Sequence, residues 1–263
     1  MDASQSASPC ASTPMSDPAQ QLAHRLATAE RIVVFTGAGI STESGIPDFR
    51  SPQGLWSQAK PIQFQEFVSS EARRREAWRR KFIIDEDMRR ARPNRGHRAV
   101  RHLVESGRCP LVITQNIDGL HQQSGIDEAR IVELHGNGTY ARCLDCGLRH
   151  ELAPIEAAFK RDGVLPVCTA CGGLVKAATI SFGQAMPDAA VQRADEAART
   201  CDLCLVLGSS LVVYPAAAIP QRARRSGAQL IILNREPTPQ DDDADLVIRA
   251  EIGETLGAAL GVD

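Results

Sequence analysis

Short apolar runs recur along the chain, separated by stretches with helical character. They are Arg31–Thr36, Leu111–Thr114, Ile131–Leu134, Ala178–Phe182, Leu203–Leu207, Gln229–Leu233 and Asp245–Ile248. A strand with one face in water alternates apolar and polar residues, whereas a strand covered on both faces does not. Runs such as Ile32-Val-Val-Phe35 and Leu203-Cys-Leu-Val-Leu207 therefore read as buried strands of a parallel sheet. The helices between them carry boundary signals. Residues 19–29 suit a first helix. The stretch 94–106 opens on Asn94 and stops at Gly107, 187–199 opens on Pro187-Asp188, and 215–226 stops at Gly227. The expected class is α/β, a parallel sheet with helices on both faces.

Two segments break the alternation. Residues 53–93 read as helices, with Phe64, Val68, Trp78 and Phe82 at roughly helical spacing among many charges. Residues 139–175 hold four cysteines with Gly and Pro between them. Both read as insertions forming a smaller domain. The expected division is a disordered tail at 1–20, a main domain from 21–52, 94–138 and 176–263, and a small domain from 53–93 and 139–175. A chain of 263 residues accommodates that division.

The chain has eight cysteines. Cys143-Leu-Asp-Cys146 and Cys168-Thr-Ala-Cys171 form two C-x2-C pairs, each able to aim two thiolates at one point. Four thiolates fill a tetrahedral zinc site and leave no open position, so a structural zinc is expected. Cys201-Asp-Leu-Cys204 is a third such spacing, but Cys204 falls inside an apolar run and reads as a buried thiol. Asp241-Asp-Asp-Ala-Asp245 lacks the alternation of a calcium loop and reads as a solvated loop. The formal net charge of −2 gives no reason to expect nucleic acid or an anionic membrane as the main partner. The Arg-rich stretch 73–98 is interrupted by Glu71, Glu76, Asp85, Glu86 and Asp87, the pattern of a solvated helix face. No apolar run reaches about 18 residues and no secretory or transit pattern is visible, so the expected compartment is the cytoplasm.

Gly37-Ala-Gly39 follows the first strand, as a phosphate-binding loop does. Position 42 is Thr where a dinucleotide fingerprint has its third glycine, and residues 57–63 supply no second strand ending in an acidic residue. Hydride-transfer chemistry is therefore not expected.

The loop continues as Gly37-Ala-Gly-Ile-Ser-Thr-Glu-Ser-Gly-Ile-Pro-Asp-Phe-Arg50, and this string resembles the signature of the sirtuin family of NAD-dependent deacylases. Further matching blocks follow in order: Thr114-Gln-Asn-Ile-Asp118, Leu134-His-Gly136, the two Cys pairs, Ser181-Phe-Gly183, Gly208-Ser-Ser210 and Asn234-Arg-Glu236. The resemblance covers about residues 20–260. It implies a Rossmann-like domain joined to a small domain made of a zinc ribbon and a helical module. It also implies NAD as co-substrate, one structural zinc, and acyl-lysine proteins or peptides as substrates. In that chemistry the acyl oxygen displaces nicotinamide, a histidine takes a ribose hydroxyl proton, and water completes release of lysine and O-acyl-ADP-ribose.

The resemblance assigns the base to His135, an imidazole suited to accept a proton near neutral pH. Asn116 and Asp118 join it as catalytic-site residues. Gln115 and Asn116 are assigned to ribose, and Ile117 and Asp118 to the nicotinamide amide. Gly37, Gly39 and Ser41 belong to the phosphate loop. Ala38, Asp48, Phe49 and Arg50 belong to a segment over NAD, where Phe49 would exclude water. Gly208, Ser209 and Ser210 are assigned to phosphate and ribose, and Asn234, Arg235 and Glu236 to the adenosine ribose. Phe182-Gly183 and Leu211-Val212-Val213-Tyr214 match segments that sandwich an acyl-lysine peptide as an added strand. Departures cluster near that cleft: Lys176-Ala177 where the family usually has Pro, and Gln184 where an acidic residue is common. The Tyr–Arg pair of desuccinylating members falls at Lys81 and Ile84 here, so neutral acyl groups are expected. Mono-ADP-ribosyl transfer is the rival enzymatic expectation, and a nucleic-acid-binding zinc-ribbon module the non-enzymatic one.

Overall fold

The computed structural model describes residues 17–47 and 60–263. Asp48, Phe49 and Arg50 therefore lie outside the described residues. In chain order the strands are β1 (Ile32–Thr36), β2 (Leu111–Thr114), β3 (Ile131–Glu133), β4 (Gly136–Cys143), β5 (Arg149–Glu151), β6 (Val175–Thr179), β7 (Leu203–Leu207), β8 (Gln229–Leu233) and β9 (Leu246–Ile248). The α-helices are α1 (Pro18–Thr28), α2 (Phe64–Ser69), α3 (Glu71–Arg90), α4 (Arg95–Glu105), α5 (Leu120–Gln123), α6 (Leu152–Asp162), α7 (Asp188–Thr200), α8 (Ala218–Arg225) and α9 (Ile252–Leu260).

Six strands form one sheet in the order β3-β2-β1-β7-β8-β9, and every neighbouring pair is parallel. Alternate residues of the buried strands divide into two cores. Ile32, Val34, Leu203, Leu205, Ile231 and Leu233 pack with Leu22 and Leu26 of α1, Leu103 of α4 and Leu256 of α9. Val33, Phe35, Cys204, Val206, Leu230 and Ile232 pack with Ala194 of α7 and Ile219 and Ala223 of α8. Burying one such aliphatic side chain contributes roughly 1.5–3 kcal/mol. A polar residue on either face would forfeit that gain, which is why the runs are unbroken. Successive strands step one way from β1 to β3 and the other way from β7 to β9. The direction reverses between β1 and β7, the place where open α/β sheets form a crevice beyond their carboxyl ends.

The second sheet is antiparallel, in the order β5-β4-β6. Against the sequence expectation, Ala178–Phe182 adds no parallel strand. The strand is Val175–Thr179, and it pairs with β4 so that Val175 faces Cys143. An apolar run does not specify which sheet it joins; here Leu144 N–H donates to Leu174 O at 2.9 Å where the first cysteine knuckle leaves β4, continuing the β4–β6 pairing. Residues 1–16 of the expected tail lie outside the described residues, and residues 18–20 belong to α1. Pro18 begins α1, and Asp17 caps it by accepting from the Ala19 N–H at 3.3 Å.

Trp78 and Phe82 of α3 pack against Ala141, Cys143, Cys168 and Val175, with Phe159 of α6 closing the cluster. The Trp78 and Phe82 rings stack on one another at 5.5 Å, and their shared cluster with Cys143 and Cys168 seats the helix on the cysteine knuckles. Among the described residues no helix is long and apolar enough to cross a membrane.

Candidate active site

The loops that leave β1, β2, β7 and β8 at their carboxyl ends carry most of the expected site residues. After β1 the chain forms a 3-10 turn, Ala38–Ser44, rather than an α-helix. Gly37 N–H donates to Leu207 O at 3.0 Å and Gly39 N–H to Gly208 O at 2.8 Å, laying the glycine loop on the end of β7. The approach is too close for a side chain. A Cβ on Gly39 would stand 2.6 Å from Gly208 Cα, and one on Gly37 would stand 2.7 Å from Gly208 O. Gly208 itself has φ +64°.

Ser41 and the loop after β2 form a buried polar cluster. Ser41 Oγ donates to Asp118 Oδ2 at 2.7 Å. Asn116 Nδ2 donates to Gly37 O at 3.0 Å and to Ser41 Oγ at 3.2 Å. The second Asp118 oxygen accepts from Leu120 N–H at 2.9 Å. Burial raises the Asp118 carboxyl above its ordinary value, and the Leu120 N–H and Ser41 hydroxyl partly offset that shift. A pocket opens over this cluster, lined by Ala38, Ser41, Ile46, Met88, Asn116, Ile117 and Asp118.

His135 stands between β3 and β4, half-buried, next to the fully buried Leu134. Its Nδ1 lies 3.1 Å from Gln115 O. A carbonyl oxygen only accepts, so Nδ1 carries the hydrogen and the Nε2 of the neutral ring carries the lone pair. Leu134 N–H donates to Thr114 O at 2.9 Å, and Ile180 N–H donates to His135 O at 2.8 Å. The backbone of His135 is thus tied to the ends of both sheets. Gln115 also accepts, through Oε1, from Ser209 Oγ at 2.7 Å, linking the loops after β2 and β7.

Not every expected residue converges. Asn234 Nδ2 donates to Glu236 O at 2.7 Å within its own turn, and Arg235 pairs with Glu251 at 3.4 Å. Glu236 is exposed. Phe182, Gly183 and Val212 are exposed, Ser210 and Val213 half-buried, and Leu211 buried. Leu211 has φ +53°, a strained conformation for a branched side chain. Phe182 O accepts from Phe64 N–H at 2.9 Å, joining this segment to α2. Ile46, inside the signature string but assigned no role there, and Met88, to which no site signal pointed, also line the pocket. Both are apolar, and their place follows only from how α3 packs near the turn.

Cys143, Cys146, Cys168 and Cys171 bring their four Sγ atoms within 4.8 Å of one another. The Cys143–Cys171 and Cys146–Cys168 sulfur pairs are 3.5 and 3.6 Å apart. With a Zn–S length of about 2.3 Å, a tetrahedron has an S–S edge of about 3.8 Å, so the set fits zinc. The two knuckles repeat one bonding pattern: Cys143 N–H to Leu148 O at 2.9 Å, and Cys168 N–H to Gly173 O at 2.9 Å. Cys201 and Cys204 are buried, and burial raises both thiols.

The Sir2 family model matches residues 37–215. The chain is 58% identical to an NAD-dependent protein deacetylase of Rhodopseudomonas palustris, covering 94% of this chain and 98% of the relative. It is 56% identical to NAD-dependent protein deacetylase 1 of Bradyrhizobium diazoefficiens, covering 92% and 95%. Among solved structures, a Sir2 protein with a p53 peptide and NAD+ superposes with a TM-score of 0.80 at 35% identity, covering 90% and 95%. A Sir2 protein bound to a propionylated peptide also gives 0.80 at 35% identity, covering 90% and 94%. With the signature loop, the cysteine knuckles and these matches in place, the chain belongs to the Sir2, or sirtuin, family.

Proposed function

We propose that this chain is an NAD-dependent protein-lysine deacylase that transfers an acyl group from lysine to ADP-ribose and releases nicotinamide. The observation that carries the reading is the orientation of His135 by Gln115 O, beside the buried Ser41–Asn116–Asp118 cluster at the reversal point of the sheet. Relatives named NAD-dependent protein deacetylase at 58% and 56% identity support it.

The glycine loop supports NAD as co-substrate: Gly37 and Gly39 pack on Gly208 and Ser209 too closely for any Cβ, which sets the loop at the carboxyl end of the sheet. NAD supplies a ribose carbon at which the acyl oxygen can replace nicotinamide. Gly37, Ala38, Gly39, Ser41, Gly208, Ser209 and Ser210 would hold its phosphates and ribose. Gln115, Asn116, Ile117 and Asp118 would hold the nicotinamide end, and Asn234, Arg235 and Glu236 the adenosine end. Asp48, Phe49 and Arg50 would cover it. His135 Nε2 takes the ribose hydroxyl proton, since Nδ1–H is engaged by Gln115. A zinc on the four cysteines would hold the small domain together with no catalytic duty.

Phe182, Gly183, Leu211, Val212 and Val213 would receive the acyl-lysine peptide between the nucleotide-binding residues (21–52, 94–138 and 176–263) and the small domain (53–93 and 139–175). Lys81 is ion-paired with Asp85, with side chains 11% and 6% exposed. Lys81 and Ile84 stand where desuccinylating members carry their Tyr–Arg pair, and the absence of that pair favours neutral acyl groups. The cytoplasm, where thiols stay reduced, suits the four ligand cysteines. The test incubates a panel of acyl-lysine peptides with enzyme and NAD and identifies the products by mass. O-acyl-ADP-ribose with deacylated peptide supports the proposal. Peptide or protein carrying ADP-ribose, without deacylation, would replace it with mono-ADP-ribosyl transfer.

A further inference from the structure

We propose that Asn94 is a positioning residue for the cofactor loop, tying the Ala38–Ser44 turn to the buried end of α4. For its NAD-binding consequence the inference rests on the deacylase reading; the tether itself stands on geometry. Asn94 Nδ2 donates to Ile40 O at 2.7 Å and to Ser44 Oγ at 2.9 Å. Its Oδ1 accepts from His97 N–H at 3.2 Å, the capping bond of α4, and lies 3.0 Å from His97 Nδ1. His97 Nδ1 also lies 3.4 Å from Asn94 N–H, the reciprocal half of the capping box, while the His97 N–H can only donate to Asn94 and the Ile40 carbonyl can only accept from it. The amide therefore has one orientation: oxygen toward the helix, NH2 toward the loop.

The anchor is firm. On α4, Gly96, His97, Ala99, Val100, Leu103 and Val104 are buried. The His97 ring packs on the His121 ring at 5.1 Å, and His121 Nε2 lies 2.9 Å from Thr36 Oγ1 at the end of β1. Burial lowers both imidazoles, to about 2 for His97 and about 4 for His121, so both stay neutral at working pH. Ser41 sits between the two tethered residues, and its hydroxyl reaches Asp118. Freeing the turn would therefore move Ser41, whose hydroxyl joins the glycine loop to Asp118 and accepts from Asn116.

A plain helix cap needs only Oδ1, whereas the tether needs Nδ2. Asn94→Asp keeps the cap and the shape but turns an oxygen toward Ile40 O. Asn94→Ser keeps a capping hydroxyl too short to serve the loop. Ser44→Ala removes one loop partner and leaves Asn94 intact. Hydrogen exchange without NAD reads the tether at Gly45 and Ile46, whose N–H groups bond Thr42 O and Ser41 O. Exchange there should quicken about tenfold in Asn94→Asp and Asn94→Ser and about threefold in Ser44→Ala, with α4 amides unchanged. The KM for NAD should rise about tenfold in the two Asn94 variants while the KM for peptide stays within about twofold. Wild-type exchange at Gly45 and Ile46 would overturn the proposal, as would a wild-type KM for NAD or an equal loss of protection along α4. If the wild-type enzyme turns over no NAD, the deacylase reading falls, and the exchange result alone decides the tether.

Discussion

His135→Ala separates the proton-transfer step from cofactor binding. The substitution removes the Nδ1–H bond to Gln115 O, at 3.1 Å, and with it the Nε2 lone pair. His135 is half-buried, so water can reach the abandoned carbonyl, and the stability cost should stay near about 0.5–1.5 kcal/mol. Loss of a positioned base typically slows a reaction about 10²–10⁴-fold, equivalent to about 3–5 kcal/mol of barrier. The catalytic loss should therefore exceed the stability loss several-fold, and partial unfolding would not account for it. The bonds among Ser41, Asn116 and Asp118 do not involve His135, so NAD binding should persist. Exchange of labelled nicotinamide into NAD in the presence of acyl peptide should also survive in part, because the acyl oxygen displaces nicotinamide before the base acts. Asn116→Ala and Asp118→Ala break the cluster itself, so exchange and deacylation should fall together. The assay measures both rates on each variant. A His135→Ala enzyme that deacylates at a near wild-type rate would refute the assignment of the base.

Three further outcomes are expected. Cys146→Ala should release zinc, measured by elemental analysis, and expose the small domain to protease, since Trp78 and Phe82 rest on Cys143 and Cys168; a variant with full metal content counts against the site. Gly39→Ala forces a Cβ to within 2.6 Å of Gly208 Cα, so a backbone must move at a cost of about 1–3 kcal/mol. Its affinity for NAD in a calorimetric titration should drop, and unchanged affinity would remove the cradle. Acetyl and longer neutral acyl-lysine peptides should turn over faster than succinyl-lysine, because Lys81 and Ile84 replace the Tyr–Arg pair of desuccinylating members; the reverse order would overturn that expectation.

What the sequence reveals depends on how many neighbours a residue needs before its role appears. β1, β7 and β8 are legible because each is covered on both faces, so the apolar run itself states the environment. β6 is not, because Val175–Thr179 pairs with β4 of a different sheet, a partner its apolar content does not specify. The loops after β1, β2 and β7 carry dense polar and glycine signatures at strand ends, and the structure brings Ala38, Ser41, Asn116, Ile117 and Asp118 to one pocket. Met88, which also lines it, carries no such mark. Asn94 reads from sequence as an ordinary helix start, and its cap confirms only half its role. The other half depends on which acceptors its NH2 group meets, and those lie 54 and 50 residues away in the chain.

The departure at position 42 has a physical origin in the same place. In a dinucleotide fingerprint the third glycine lets a helix pack closely on its strand. Here no α-helix follows the glycines, because residues 38–44 form a 3-10 turn. Close packing is instead required between Gly39 and Gly208, and glycine occupies both sides of that contact. At position 42 a side chain is then useful, and Thr42 Oγ1 donates to Gly39 O at 2.9 Å, closing the turn. The missing glycine has in effect been replaced by one on β7's loop. Gly208→Ala should therefore impair NAD binding at least as much as Gly39→Ala, since its Cβ would stand 2.5 Å from Ile40 N and its φ is +64°.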